Sequence, residues 1–302
     1  MSADYHLRVR ISVLNHSSNP IFSIDMKTLI EAMYDKKDSR NVNKLARLWE
    51  EANGCPMTWD SITKINLHNW VERLKQEVAH NSVRHYCEIL RAVLNLYSDE
   101  FKFPKGYADI LSLPLEGTIS TWVNEDEIER IMKYRPITHI EEVVKHQFLL
   151  GCLTGARHVD FQKFTLSNIV GENIVYIAQK TKQRVEVPLS PAVRRILRHY
   201  DVAETIADTT FAKTLRKICR ESDVDEIVQT YRGGQERTDE KWKFVSAHTA
   251  RRSFATNLYL RCRDIFLVSK YMGHAKVDMT AKYILSIGDA PMEIKSYFER
   301  FK

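Results

Sequence analysis

The chain predicts a mainly α-helical protein of two domains with one small β-hairpin or sheet. Three observations lead there. Four segments between about residues 25 and 98 repeat apolar residues at three- and four-residue spacing, the mark of amphipathic helices. The stretch from Phe101 to Ser120 breaks that pattern with Pro104, Gly106, Pro114 and Gly117, residue types that end regular structure and join domains. Beyond it, residues 173–179 and 184–190 alternate and are rich in β-branched side chains, separated by the polar turn Lys180-Thr181-Lys182-Gln183. That is a hairpin pattern.

Taken in order, residues 1–20 show no clear periodicity and read as an N-terminal arm. Residues 21–115 read as an all-helical domain, with helices near 25–35, 40–53, 60–78 and 81–98. In the last of these Val83, Tyr86, Cys87, Leu90, Leu94 and Tyr97 form one stripe, and Asn81 and Ser82 are the expected caps. The linker falls near 112–121, and residues 116–302 form the second domain. Asn124 ahead of Glu125, Asp126 and Glu127 marks its first helix, because acids suit a helix N-terminus. Helices are predicted near 125–134, 138–153, 191–200, 210–221, 248–261 and 264–272, with a short one presenting Tyr283. The segment 222–243, with Gly233-Gly234 and many charges, is expected to be a mobile loop. A tail helix over 291–302 begins with Pro291 in its first turn and carries Tyr297, Phe298 and Phe301.

Bulk composition narrows the function classes. At 302 residues and 44% hydrophobic content the chain can build two ordinary cores. No apolar run reaches the roughly eighteen residues of a membrane span, and the first residues lack a secretory apolar stretch, so a cytoplasmic protein is expected. Cys55, Cys87, Cys152, Cys219 and Cys262 are scattered and never in a C-x-x-C pair, which favours free thiols over a disulfide framework or zinc site. Net charge is +6. Residues 1–115 hold 15 Lys+Arg against 14 Asp+Glu, and the remainder 30 against 25; the basic excess of the second domain fits a polyanionic partner. There is no G-x-x-x-x-G-K-[ST] loop and no acidic cluster of the two-metal type. Neither metal nor cofactor is therefore expected, and phosphate activation must rest on side-chain cations.

Those cations are legible. The segment from His248 to Tyr283 holds His248-x-x-Arg251, Gly273-His274 and, nine places later, Tyr283; Arg157 lies upstream in LTGARHVD. Arginines and histidines neutralise a phosphate as charge develops on it, and a tyrosine can attack it. Thr154-Gly155 forces a turn that aims Arg157, a planar fork of donors suited to phosphate oxygens, and Asp160 is placed to orient it. His248 and Arg251 share one helical face, with Ser246 as cap. Arg252 points about 100° away and is expected to meet DNA or an acid.

This ordered set resembles the tyrosine recombinases of the phage-integrase family: an arginine after Thr-Gly, a hairpin lysine, His-x-x-Arg, Gly-His, then the tyrosine. The resemblance implies a helical core-type DNA-binding domain followed by a catalytic domain. It implies Lys180 as the general acid toward the leaving 5′ oxygen, with Lys182 as the alternative two residues along an extended strand. It assigns Arg157, Lys180, His248, Arg251, His274 and Tyr283 to catalysis, supported by Asp160. Lys182, Arg184 and Arg252, with Arg84 and Arg91 on the 81–98 helix, are candidate DNA contacts. The partners implied are double-stranded DNA recombination sites, a homotetramer on two duplexes and an accessory DNA-bending or directionality protein, with no membrane. A type IB topoisomerase with the same chemistry, and a DNA-binding accessory protein without catalysis, are the competing readings.

Overall fold

In the computed structural model, which describes residues 27–36 and 39–284, helices open where the sequence offers a cap. Thr28 and Glu31 exchange hydrogen bonds at the start of α1 (Leu29–Tyr34), a reciprocal box that satisfies two otherwise orphaned N–H groups. Then come α2 (Ser39–Asn53), α3 (Lys64–Glu77, capped by Thr63), α4 (His80–Leu96) and the single turn α5 (Tyr107–Ile110). These elements share one core in which Leu45, Trp49, Trp70, Leu74, Leu90 and Leu94 are completely buried. The Trp70 indole N–H donates to the Leu45 carbonyl at 3.2 Å, so this large ring is buried without an orphaned donor.

Two details differ from the sequence reading. Helix α4 starts at His80, behind Ala79, which offers no side-chain cap. Asn81 instead grips Glu116, donating to its carbonyl and accepting from its N–H, both at 3.0 Å. A side-chain amide carries donor and acceptor together, so it can clamp a passing strand of backbone as readily as it caps a helix. The Phe101–Ser120 stretch is also better fastened than its prolines and glycines suggest. Trp59 stacks on Phe101 at 4.4 Å, with Tyr97 and Phe103 around it.

The chain divides between Gly117 and Thr118. The second unit comprises α6 (Glu125–Lys133), α7 (His139–Thr154), α8 (His158–Phe161), α9 (Pro191–His199), α10 (Asp208–Glu221), α11 (Ala247–Cys262), α12 (Ile265–Tyr271) and α13 (Asp278–Ile284). A three-stranded antiparallel sheet in the order β1 (Ile169–Val170), β2 (Asn173–Ile177), β3 (Arg184–Pro188) lies among them. Helix α7 is buried along most of its length, its polar residues Glu141, Lys145, His146 and Gln147 included. It meets α11 closely at Gly151, where a Cβ would fall 2.8 Å from that of Ala250 and 2.6 Å from the Phe161 ring.

The segment expected to be a loop is a second hairpin, β4 (Ile227–Arg232) and β5 (Gln235–Glu240), with Arg232 opposite Gln235. Gly233 and Gly234 both have positive φ, 62° and 76°, which a two-residue hairpin turn requires. Strand β5 is QERTDE and mostly exposed, so no apolar alternation advertised it. The short β1 was likewise not anticipated. The 1–20 arm and the 291–302 tail helix lie outside the described residues.

Lys241 follows this hairpin and is 5% exposed; its ammonium lies 2.8 Å from Glu127, itself 2% exposed, and also pairs with Glu226. The second Glu127 oxygen accepts the Asn124 N–H at 2.7 Å and closes the cap of α6. Removing one partner of a buried pair strands the other charge. Lys241→Met is expected to cost about 3–5 kcal/mol in urea unfolding. The double variant Lys241→Met/Glu127→Gln keeps the cap but removes the stranded charge, and should recover part of that loss.

Candidate active site

Two glycines bring distant segments onto one guanidinium. Gly155 ends α7 in the left-handed region, φ 68°, and a Cβ there would lie 2.4 Å from the Phe254 ring. Gly273 follows α12 with φ 59°, and its Cβ would lie 2.6 Å from Val185 on β3. Only glycine meets both demands at no steric cost. The Gly155 carbonyl accepts from Arg251 Nη1 at 2.5 Å. The Met272 carbonyl and His274 Nε2 accept from Nη2 at 2.6 and 2.7 Å. Arg251 is 1% exposed. Its burial, and next to that the nearby Arg157, pull the guanidinium below its ordinary value. Arg157 stands half-buried at the start of α8. Among the described residues, neither Arg157 nor Arg251 has a carboxylate partner.

The hydrogen bonds fix the state of His274. Its Nε2 accepts from Arg251, so the proton sits on Nδ1, which donates to the Thr280 hydroxyl at 2.8 Å. Burial first, then Arg251 and Arg157, push this imidazole down to about 4. Thr280 is fully buried on α13 and one turn ahead of Tyr283. The Tyr283 hydroxyl is 3.1 Å from His248 Nε2, and its ring lies parallel to His274 with centroids 5.9 Å apart. His248 reaches solvent at one edge. Partial burial, then Arg252, Arg251, Arg157 and Lys180, lower its pKa as well.

Arg252 is half-buried and has no acid partner among the described residues; it donates to the Thr121 carbonyl at 3.5 Å. Its guanidinium lies 5.7 Å from the centre of the Tyr283 ring, where α13 packs on α11. Asp160 is 4% exposed and accepts the Gln179 N–H at 2.9 Å. It thus holds the start of the β2–β3 turn instead of Arg157. Lys180, exposed at that turn, makes no hydrogen bond among the described residues, although its charge is felt at His248. Lys182 is not on an extended strand: its φ is 56° and its N–H closes the turn onto Ala178 at 2.8 Å. Arg184 pairs with Glu186 across 2.8 Å on the surface. Arg84 is committed internally, to the Leu113 carbonyl at 3.1 Å and to Glu88 at 2.7 Å, whereas Arg91 is half-buried with no ion pair among the described residues.

Two site residues escaped the sequence reading. Thr280 was detectable, since it lies on the same helical face as Tyr283. Tyr176 was too, since alternation along β2 turns it inward, where a buried phenol needs a polar partner. Burial raises Tyr176 to about 12, opposed by Arg251 and Arg157 beside it.

Residues 121–287, more than half of the chain, match the model of the phage integrase family. The chain belongs to the phage integrase family of tyrosine recombinases. No curated protein sequence matches it. Solved structures with the same fold include a lambda integrase dimer bound to a COC′ core site, with TM-score 0.65 and 13% identity over 88% of this chain and 98% of that one. The Tn1549 transposon integrase in complex with transposon right end DNA gives 0.63 and 13%, over 91% and 99%. The XerH site-specific recombinase bound to palindromic difH substrate gives 0.60 and 14%, over 86% and 77%. At such identity the likeness is one of fold, and the recombinase is mainly helical with small antiparallel sheets, as its periodicity indicated.

Gly273→Ala should destabilise the recombinase by more than about 1 kcal/mol. Trimming the obstructing side chain in Gly273→Ala/Val185→Ala should make the double loss less than additive, read from denaturant midpoints. Acid sensitivity follows from the two histidines. Both are neutral in the fold down to about 4, against 6.5 when free. Between those values the unfolded chain binds more protons, so stability rises with pH there. It is fully present above about 6.5 and declines as pH falls toward 4. Melting temperature against pH should show this slope, and His274→Asn should flatten it.

Proposed function

We propose that this recombinase is a site-specific, integrase-like enzyme that cuts and rejoins double-stranded DNA through a 3′-phosphotyrosyl link. The observation that carries the reading is a buried Arg251 with a half-buried Arg157 near it, neither holding a carboxylate among the described residues, beside a phenol hydrogen-bonded to an imidazole. In water-poor surroundings such donors stabilise charge that builds on a phosphate. A neutral His248 Nε2 at 3.1 Å is within reach of the Tyr283 proton.

In the proposed reaction Tyr283 Oη attacks the scissile phosphorus and gives its proton to His248. The new O–P bond forms as the bond to the 5′ oxygen breaks. Arg157 and Arg251 bind the non-bridging oxygens. Phosphate competes with His274 for Arg251, which frees the imidazole Nε2. Lys180 protonates the leaving 5′ oxygen. A 5′ hydroxyl of another strand then attacks the phosphotyrosine and releases Tyr283, so no ATP is consumed. Two such exchanges pass through a Holliday junction, with four copies on two duplexes. That the solved relatives were captured with their DNA sites supports the choice of partner. An accessory DNA-bending or directionality protein is compatible with this scheme.

A nicked suicide duplex tests it. Wild type should form a covalent adduct, and Tyr283→Phe should bind the same DNA but form none; an adduct with that variant rejects the assignment. Arg157→Ala should slow cleavage by roughly 10²–10³-fold. Lys180→Ala should also slow it, with rescue by a 5′-bridging sulfur leaving group that needs no proton, whereas Lys182→Ala should leave it nearly unchanged. Exchange between two sites separates recombination from simple nicking and closing.

A further inference from the structure

Outside the catalytic cluster, α7 and α9 bring together Glu142, His146 and His199. One ligand atom from each lies within 4.8 Å of the other two. Glu142 and His146 are four residues apart on α7 and share a face, while His199 ends α9. His199 Nε2 and a Glu142 oxygen are 3.0 Å apart, and the two imidazole rings meet edge-on at 5.5 Å. We propose that these three side chains form a binding site for a divalent transition-metal ion, a clamp between the first half of α7 and the end of α9.

The surface pair of Glu142 with His199 would not by itself call for a metal, being the kind of exposed contact that is worth little. His146 is what it leaves unexplained. This side chain is 8% exposed, and its Nδ1 is buried with no hydrogen-bond partner among the described residues. A buried polar nitrogen without a partner is costly. The neighbouring polar groups are already engaged elsewhere: His139 and Tyr200 both hold Glu204, at 3.1 and 2.5 Å.

Two imidazole nitrogens and one carboxylate oxygen suit zinc, cobalt, nickel or copper better than magnesium or calcium. Bonds of about 2.0–2.2 Å draw three ligands closer than the present widest separation. His199 and Glu142, with side chains 69% and 36% exposed, are free to make that adjustment around a fixed His146. The cluster lies nine to thirteen residues before Gly155 on α7, roughly 14–20 Å along the helix axis. It is thus separate from the phosphate site, and the chemistry proposed above does not require it.

Titration of the metal-stripped full chain with Co²⁺ alone should give a ligand-field absorption that saturates at one equivalent and is displaced by Zn²⁺. Zinc at about a hundred times its Kd should raise the melting temperature by roughly 5 °C. His199→Gln and Glu142→Gln change exposed side chains and should each weaken binding at least about tenfold, while His68→Gln should not. Absence of stoichiometric binding to the wild-type chain overturns the proposal. So does binding that both variants leave unchanged, which would be adventitious metal only.

Discussion

A guanidinium sealed from water without a carboxylate is the constraint on which the catalytic unit turns. Burying an unpaired charge is expensive, and Arg251 is 1% exposed. Two backbone carbonyls and one imidazole compensate it in part. Those acceptors come from the end of α7 and from the turn after α12, segments that only the fold brings together. Each carbonyl is presented by backbone beside a left-handed glycine. Bulk at either glycine would shift an acceptor and raise the cost of the buried charge. The compensation is also incomplete: Arg251 Nε is buried with no partner, and Arg157 adds like charge nearby. A site folded this way is ready for an anion before any anion arrives.

The same guanidinium governs its neighbours. By donating to His274 Nε2 it selects one tautomer, and that tautomer requires an acceptor at Nδ1, which Thr280 supplies. Thr280 and Tyr283 belong to one short helix. The hydrogen bond that sets the imidazole therefore also anchors the element carrying the phenol. His274 then stacks on the Tyr283 ring while His248 holds its hydroxyl. Orientation passes from a buried charge to the nucleophile through hydrogen bonds and one ring contact.

How much of this was legible in the sequence depended on whether the signal was local. Helices with strong apolar periodicity stood where the spacing put them, because burial of one face decides helix position. The β4–β5 hairpin was missed although Gly233-Gly234 announced its turn, because QERTDE has no buried face to alternate. Asn81 misled for a related reason, since the same amide serves a cap or a tether and only tertiary structure chooses. In the catalytic cluster the residue types and order were readable, while their couplings were not. Nothing local says that Asp160 holds the Gln179 amide, or that Arg252 lies over the Tyr283 ring, since those contacts span 19 and 31 residues.

His248, Arg252, His274 and Thr280, arranged around Tyr283, all lie in the second unit. In the proposed reaction the cleavage half draws on Arg157, Lys180, His248, Arg251, His274 and Tyr283, all within the second unit. Within that proposal several copies have a clear use in the second half. A phosphotyrosine resealed by the hydroxyl it has just released returns the starting DNA, and only a 5′ hydroxyl from another duplex produces exchange. Assembly in this view supplies a second acceptor strand. Selectivity for recombination over futile closure would then depend on how long the released 5′ end is kept away from the link, a matter of DNA geometry and protomer contacts more than of the six polar residues that cut.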